Sequence, residues 1–104
     1  MTVQKLLQRI KERLMDHYGD RLREVILYGS EARGEAEPDS DIDILCVLDG
    51  PVNDWKEISA ITDATYPLQL DFLERVFHIF PVSAEDFQRR IPLYIEIHKE
   101  GVAI

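Results

Sequence analysis

The sequence predicts an α+β fold: a small mixed β-sheet of about three strands with helices packed on it. Three observations predict it. Apolar residues recur at spacings of three and four in some stretches, the signature of amphipathic helices. Near-continuous apolar runs elsewhere suit strands buried on both faces. Glycine, proline and aspartate clusters punctuate the chain between them.

The elements follow in the order α, β, β, α, β, α. Val3, Leu6, Leu7, Ile10, Leu14 and Tyr18 line one helical face, with Thr2 as N-cap and Gly19 at the stop. Residues 23–28 form a buried strand that ends at Gly29-Ser30, and residues 31–40 are a polar connection. Residues 41–48 read as a second strand, closed by the turn Asp49-Gly50-Pro51. Trp55, Ile58, Ile61, Thr62 and Thr65 mark a helix from about Asn53, which Pro67 should kink or end. Residues 68–75 read as strand or as continued helix: Leu68, Leu70 and Phe72 alternate with polar partners. Residues 76–82 form a third strand. Ser83 and Asp86 fit a capping box opening a last helix, which Pro92 interrupts and Gly101 ends.

The chain has 104 residues, room for a single domain over 1–104. With 45% hydrophobic and 31% charged residues, it is neither disordered nor fibrous. No apolar run reaches the roughly 18 residues of a membrane span, and the N-terminus opens an amphipathic pattern instead of a signal peptide. The single cysteine, Cys46, can form no internal disulfide and no zinc site alone, which suits a reducing cytosol. Residues 34–88 hold 2 basic and 13 acidic residues, net −11 of a total −8. Such a segment repels a polyanion and argues against stable nucleic-acid binding. Clustered carboxylates could instead hold a divalent cation.

The chemistry concentrates in Gly29-Ser30, a ten-residue gap, then Asp41-Ile42-Asp43. Strand residues i and i+2 share a face, so Asp41 and Asp43 project together and Ile42 turns into the core. Paired carboxylates repel unless a cation lies between them, and oxygen ligands with room for water and phosphate suit Mg²⁺. A glycine ending a buried strand allows a tight turn, and a following serine starts a turn whose free N–H groups attract phosphate. Arg33, one helical turn on, would meet a phosphate oxygen or else stand as a loop charge. Together these parts make a nucleoside triphosphate site, in which positioning and charge neutralisation supply most of the rate.

The segment Gly-Ser-Glu-Ala-Arg-Gly-Glu-Ala-Glu-Pro-Asp-Ser-Asp-Ile-Asp-Ile-Leu resembles the signature of minimal nucleotidyltransferases of the DNA polymerase beta superfamily. The C-terminal Pro-Leu-Tyr-Ile-Glu-Ile-His-Lys-Glu-Gly-Val is similar to the tail of small stand-alone members. The resemblance implies a polymerase beta palm-like fold and triphosphate contacts at Gly29 and Ser30. It also implies metal ligands at Asp41 and Asp43, and transfer of a nucleoside monophosphate, AMP from ATP. Many stand-alone members act as antitoxins of a HEPN-domain toxin, some by transferring AMP to a toxin tyrosine. The superfamily's third carboxylate, on the strand after the second helix, is missing: residues 76–82 contain no acid, and His78 stands in the middle. Asp71 substitutes if residues 68–72 are strand, Glu74 is a weaker candidate, and neither reaches the metals if these residues end a helix.

Other residues read more plainly. His78 is expected as a partly buried strand histidine, and His17 and His98 as surface residues. Cys46 is expected as an inert core residue, Trp55 as a core anchor, and Arg89-Arg90 as solvent-facing. Two functions compete: active transfer to a protein hydroxyl, or a degenerate module that binds its partner and nucleotide without transfer. Transfer to a small molecule is a third, disfavoured because 104 residues leave no second domain for the acceptor. A sheet this small is expected to cover apolar surface with a partner or a second copy of itself.

Overall fold

A computed structural model describes all residues, Met1–Ile104. Helix α1 spans Val3–Tyr18, and Thr2 caps it by accepting a bond from the Lys5 amide at 3.1 Å. One 3-10 turn, Gly19–Arg21, leads into strand β1, Leu22–Tyr28. A four-residue helix α2, Ser30–Arg33, precedes strand β2, Ile42–Leu48. Helix α3 covers Asp54–Asp71, strand β3 Phe77–Ser83, helix α4 Ala84–Phe87 and helix α5 Pro92–Glu100.

The sheet has four strands in the order β3-β2-β1-β4, where β4 is the short segment Val102–Ala103. β1 pairs antiparallel with β2 and with β4, and β2 pairs parallel with β3. The fourth strand was not foreseen, because two residues carry no periodicity to read. Gly101 makes it possible: a β-carbon there would lie 2.7 Å from Ile26 Cγ2.

Alternation along the strands divides the core. Val25, Leu27, Ile42, Ile44, Cys46 and Leu48 face α1 and α3, joining Leu6, Ile10, Leu14, Ile61 and Leu68. Ile26, Leu45, Val47 and Val82 face Phe87 of α4 and Ile97 of α5. The central strands are therefore buried on both faces, as their continuous apolar runs require. Cys46 is fully buried, and burial pushes its thiol up to about 12, as expected of an inert core residue.

Helix α3 corrects three expectations. It runs through Pro67 to Asp71 and does not stop there. Pro67 is exposed, and Thr65 and Leu68 on either side of it are buried and anchor the last turns. Residues 68–71 are thus helix, so Asp71 ends α3 as an exposed residue and does not lie on a strand beside the aspartates. Trp55 is not a core anchor but 83% exposed. The buried face is Glu57, Ile61, Thr65 and Leu68, a register in which Trp55 points outward. Glu57 takes the inward place because Arg21 Nη1 donates to it at 3.3 Å and Tyr18 Oη at 3.2 Å.

Candidate nucleotidyl-transfer site

The site lies where β1 ends and β2 begins, on the α4–α5 face of the sheet. Gly29 follows β1 with φ 75°, a left-handed conformation open to glycine, and turns the chain into α2. Tyr28, the last residue of β1, pairs with Asp43 in β2. The result is a close approach: a β-carbon on Gly29 would lie 2.8 Å from Asp43 Oδ2. The Gly-Ser bend and the second aspartate, separated in sequence, meet here.

Asp41 lies one residue before β2, and Asp43 is its second residue. Ile42 between them is fully buried on the opposite face. Burial raises the Asp43 carboxyl above its ordinary value; His78 opposes this and Asp41 adds to it. Asp43 and His78 are partners across the parallel β2–β3 ladder and so share a face. His78 Nε2 stands 3.1 Å from Asp41 Oδ2. No three His, Cys, Asp or Glu side chains converge into a ready metal cage. Two carboxylates and an imidazole on one face nonetheless fit a divalent cation that draws its remaining ligands from phosphate or water.

The place where a third acid was sought is therefore filled by His78, and its ring is exposed rather than partly buried. Asp71 and Glu74 are both exposed, outside the strand that borders Asp43. Arg33 ends α2, with Nε 3.0 Å from Glu35 and Nη1 3.7 Å from each of Glu96 and Glu100 on α5. It borders a cavity of about 150 Å³ that also takes in Tyr28 and Gly29.

Sequence reasoning missed Arg75. Its side chain is 9% exposed, and Nη1 and Nη2 reach the two oxygens of Glu31 at 3.2 Å each. Its Nε donates to the Ser40 carbonyl at 2.6 Å. One guanidinium thus joins the residue after Ser30 to the residue before Asp41. Gln69 fixes the Arg75 backbone in turn, donating to the Phe72 and Arg75 carbonyls and accepting from the Phe77 amide. The only signal was that it is one of just two basic residues in the acidic middle of the chain.

The nucleotidyltransferase domain family matches residues 7–100, and the chain belongs to it. An aminoglycoside 4′-nucleotidyltransferase of Staphylococcus aureus is 29% identical over 100 residues, 86% of this chain and 38% of that protein. An inferred protein adenylyltransferase of Methanocaldococcus jannaschii is 41% identical over 49 residues, 47% of this chain and 49% of that protein. The chain thus spans less than half the length of these relatives.

Among solved structures, an inferred nucleotidyltransferase from Sulfolobus solfataricus superposes with TM-score 0.63 at 25% identity, covering 95% of this chain and 76% of that one. Spectinomycin adenylyltransferase of Enterococcus, solved with ATP and spectinomycin, gives TM-score 0.66 at 19% identity over 88% of this chain and 37% of that one. A toxin–antitoxin complex solved with AMP-PNP gives TM-score 0.56 at 19% identity over 92% of this chain and 69% of its own. These likenesses support the α+β nucleotidyltransferase fold. No helix is long and apolar enough to cross a membrane.

Proposed function

We propose that this domain transfers AMP from ATP to a hydroxyl of a partner protein, as the antitoxin of a HEPN-domain toxin. The observation that carries the reading is the approach of Gly29 to Asp43, which sets the Gly-Ser bend against the aspartates. Gly29 and Ser30 would hold the β- and γ-phosphates, with Asp41 and Asp43 binding Mg²⁺. A cation held there would neutralise charge on the phosphates and on the leaving pyrophosphate. The acceptor oxygen attacks the α-phosphorus, the bond to the β-phosphate oxygen breaks, pyrophosphate departs, and the acceptor's proton passes to water. Arg33 is held only by exposed carboxylates, and such pairs are worth little, so a triphosphate can compete for it.

The relatives support both parts of this reading. One is an inferred protein adenylyltransferase, and one neighbour is a toxin–antitoxin complex holding an ATP analogue. Apolar surface is also available for a partner: Trp55, Leu73 and Tyr66 are 83%, 79% and 57% exposed.

A second reading is a module that binds nucleotide and partner without transfer. His78 at the position of the third acid favours it. The test is incubation with labelled ATP, Mg²⁺ and a HEPN-domain protein of the same genome. Label on the partner that disappears with Asp41→Asn supports transfer. A tight complex without label, indifferent to that substitution, would falsify transfer and leave the binder.

A further inference from the structure

Strand β3 closes one side of the sheet, with β2 as its only neighbour. The phase of their ladder fixes which backbone groups face outward. The Ile42 amide donates to the Val76 carbonyl at 2.9 Å, and alternate residues of a parallel pair bond across it. His78, Phe80 and Val82 therefore turn their backbone groups to β2, and Phe77, Ile79 and Pro81 turn theirs away. The Phe77 amide agrees, since it donates outward to Gln69 Oε1 of α3 at 3.0 Å. So does Pro81, which has no amide and falls at an outward position. The Phe77 carbonyl and the Ile79 amide and carbonyl are left in a row on the edge, bonded to no group of the chain.

A groove of about 220 Å³ runs alongside. Ile58, Thr62 and Tyr66 of α3 form one wall and β3 from Phe77 to Phe80 the other. It adjoins the aspartates at His78, which lines it and bonds Asp41 Oδ2 at 3.1 Å.

We propose that this edge and groove are the acceptor site: an extended, basic segment of the partner protein pairs with β3 at Phe77–Ile79 and lays its hydroxyl beside the aspartates. This rests on the reading that AMP passes to a protein hydroxyl at Asp41 and Asp43, and adds how that acceptor is recognised. One donor and two acceptors in a row match an extended peptide backbone. Such edges are commonly guarded by charge, yet residues 77–83 hold no lysine, arginine, aspartate or glutamate. Pro81 alone limits the edge, which confines pairing to the half beside Asp43. Charge selects the segment. The elements around the groove expose Asp54, Asp63, Asp71, Glu74, Glu85 and Asp86, against Lys56 as their one exposed base. These flanks attract lysine and arginine and repel an acidic chain.

Strand geometry then positions the hydroxyl. Successive side chains of an added strand point to opposite faces. One enters the groove on the α3 side, and the next faces the side that His78 and Asp43 share. There the hydroxyl oxygen bonds to the α-phosphorus, pyrophosphate leaves and the proton passes to water.

The probe is a capped fluorescent pentapeptide with tyrosine at its centre, valine on either side and arginine at both ends. Binding to the full chain is followed by anisotropy and amide NMR, without nucleotide. The Ile79 amide is expected to exchange freely in the isolated protein, and to shift and become protected with peptide. N-methylation of every peptide amide should weaken binding at least about ten-fold, as should Tyr66→Ala. Asp63→Lys with Asp71→Lys should weaken it about five-fold, a difference that disappears near 1 M salt. Circular dichroism confirms that the variants are folded. With labelled ATP and Mg²⁺, label should pass to the peptide and be lost when phenylalanine replaces its tyrosine. Binding at Ile79 without label supports the edge and overturns transfer. Label on the peptide with the Ile79 amide unmoved, and unchanged by Tyr66→Ala, overturns the edge and leaves transfer standing. An Ile79 amide that no peptide concentration shifts also overturns the edge. An Ile79 amide already protected in the isolated protein, with a doubled mass by light scattering, assigns the edge to a second copy of the chain and overturns the acceptor role.

Discussion

Gly29 packs so closely on the carboxylate of Asp43 that a β-carbon there would stand 2.8 Å from Oδ2, closer than real side chains approach. The backbone of Gly29 also has φ 75°, which costs an L-residue about 1–2 kcal/mol. Gly29→Ala therefore combines strain with displacement of Asp43. We expect destabilisation of about 2 kcal/mol and loss of ATP binding beyond what the lower stability explains. Calorimetric titration at a temperature where the variant is fully folded separates the two effects. Wild-type affinity there would show that the bend and the carboxylate act independently.

Arg75 carries the second prediction. Its three bonds are charge-assisted or made to a carbonyl, and they are largely shielded from water. Arg75→Ala strands Glu31 and the Ser40 carbonyl and should cost about 2–3 kcal/mol. Arg75→Lys keeps the charge but cannot span both partners. It should recover part of the stability while ATP binding stays weak, because Ser30 and Asp41 are no longer held together. Chemical denaturation and ATP titration of both variants check this. Full binding in the lysine variant would reduce the clamp to simple charge pairing.

The bend and the aspartates were legible in the sequence because their signal is local. A glycine ends an apolar run, and the parity of Asp41 and Asp43 follows from strand geometry alone. Arg75 was not legible, since its partners lie 35 and 44 positions away and nothing local distinguishes it from a solvated charge. Pro67, expected to kink or end the helix, does not end it: burial of Thr65 and Leu68 around it outweighs the local penalty of proline. With the helix extended, Asp71 loses any claim to the third-acid position. Trp55 was misjudged because helical spacing fixes a face only up to rotation. Residue type suggested the tryptophan, but Arg21 and Tyr18 make the inward carboxylate tolerable.

Glu57 leads to a stability prediction remote from the site. It is 4% exposed, bonded to Tyr18 and paired with Arg21, whose Nε and Nη2 also donate to the Asp49 and Pro51 carbonyls. Removing Arg21 leaves a buried carboxylate without its cation, which costs about 2–4 kcal/mol after allowing for the partly exposed guanidinium. Tyr18→Phe should cost about 1 kcal/mol, the net worth of one hydrogen bond. Glu57→Gln should partly rescue Arg21→Ala, since the amide carries no charge to strand. A double-mutant cycle by urea denaturation measures the coupling.

The raised carboxyl of Asp43 sets a pH dependence of opposite sense to the usual salt-bridged aspartate. Desolvation, the largest cause, disfavours the ionised form in the folded state. Ionisation therefore costs stability as pH rises from the unfolded value of 3.8 through the raised folded value, and the cost is full at neutral pH. Asp43→Asn should raise the thermal midpoint at pH 7, and the gain should vanish below the unfolded value, where the acid is protonated in both states. The same substitution should abolish metal binding. Melting curves across pH 3–8 test the sign. A variant less stable than the wild type at pH 7 would mean that the carboxylate contributes native contacts outweighing its desolvation.

Trp55 offers a readout for partner binding, because it is the only tryptophan and is 83% exposed in the first turn of α3. In the isolated protein its emission should match that of a solvated indole and be quenched freely by acrylamide. Trp55→Ala should change stability by less than about 0.5 kcal/mol, as for surface residues without packing partners. If α3 is where the proposed toxin docks, adding the partner should shift emission to shorter wavelength and protect it from quenching. Large exposed aromatics of this kind tend to anchor interfaces, so the alanine variant should weaken the complex by more than about 1 kcal/mol. Shielded emission in the isolated protein, with a doubled mass by light scattering, would instead assign this face to self-association. An unshifted emission in a stable complex would move the docking surface to the opposite, α4–α5 side of the sheet.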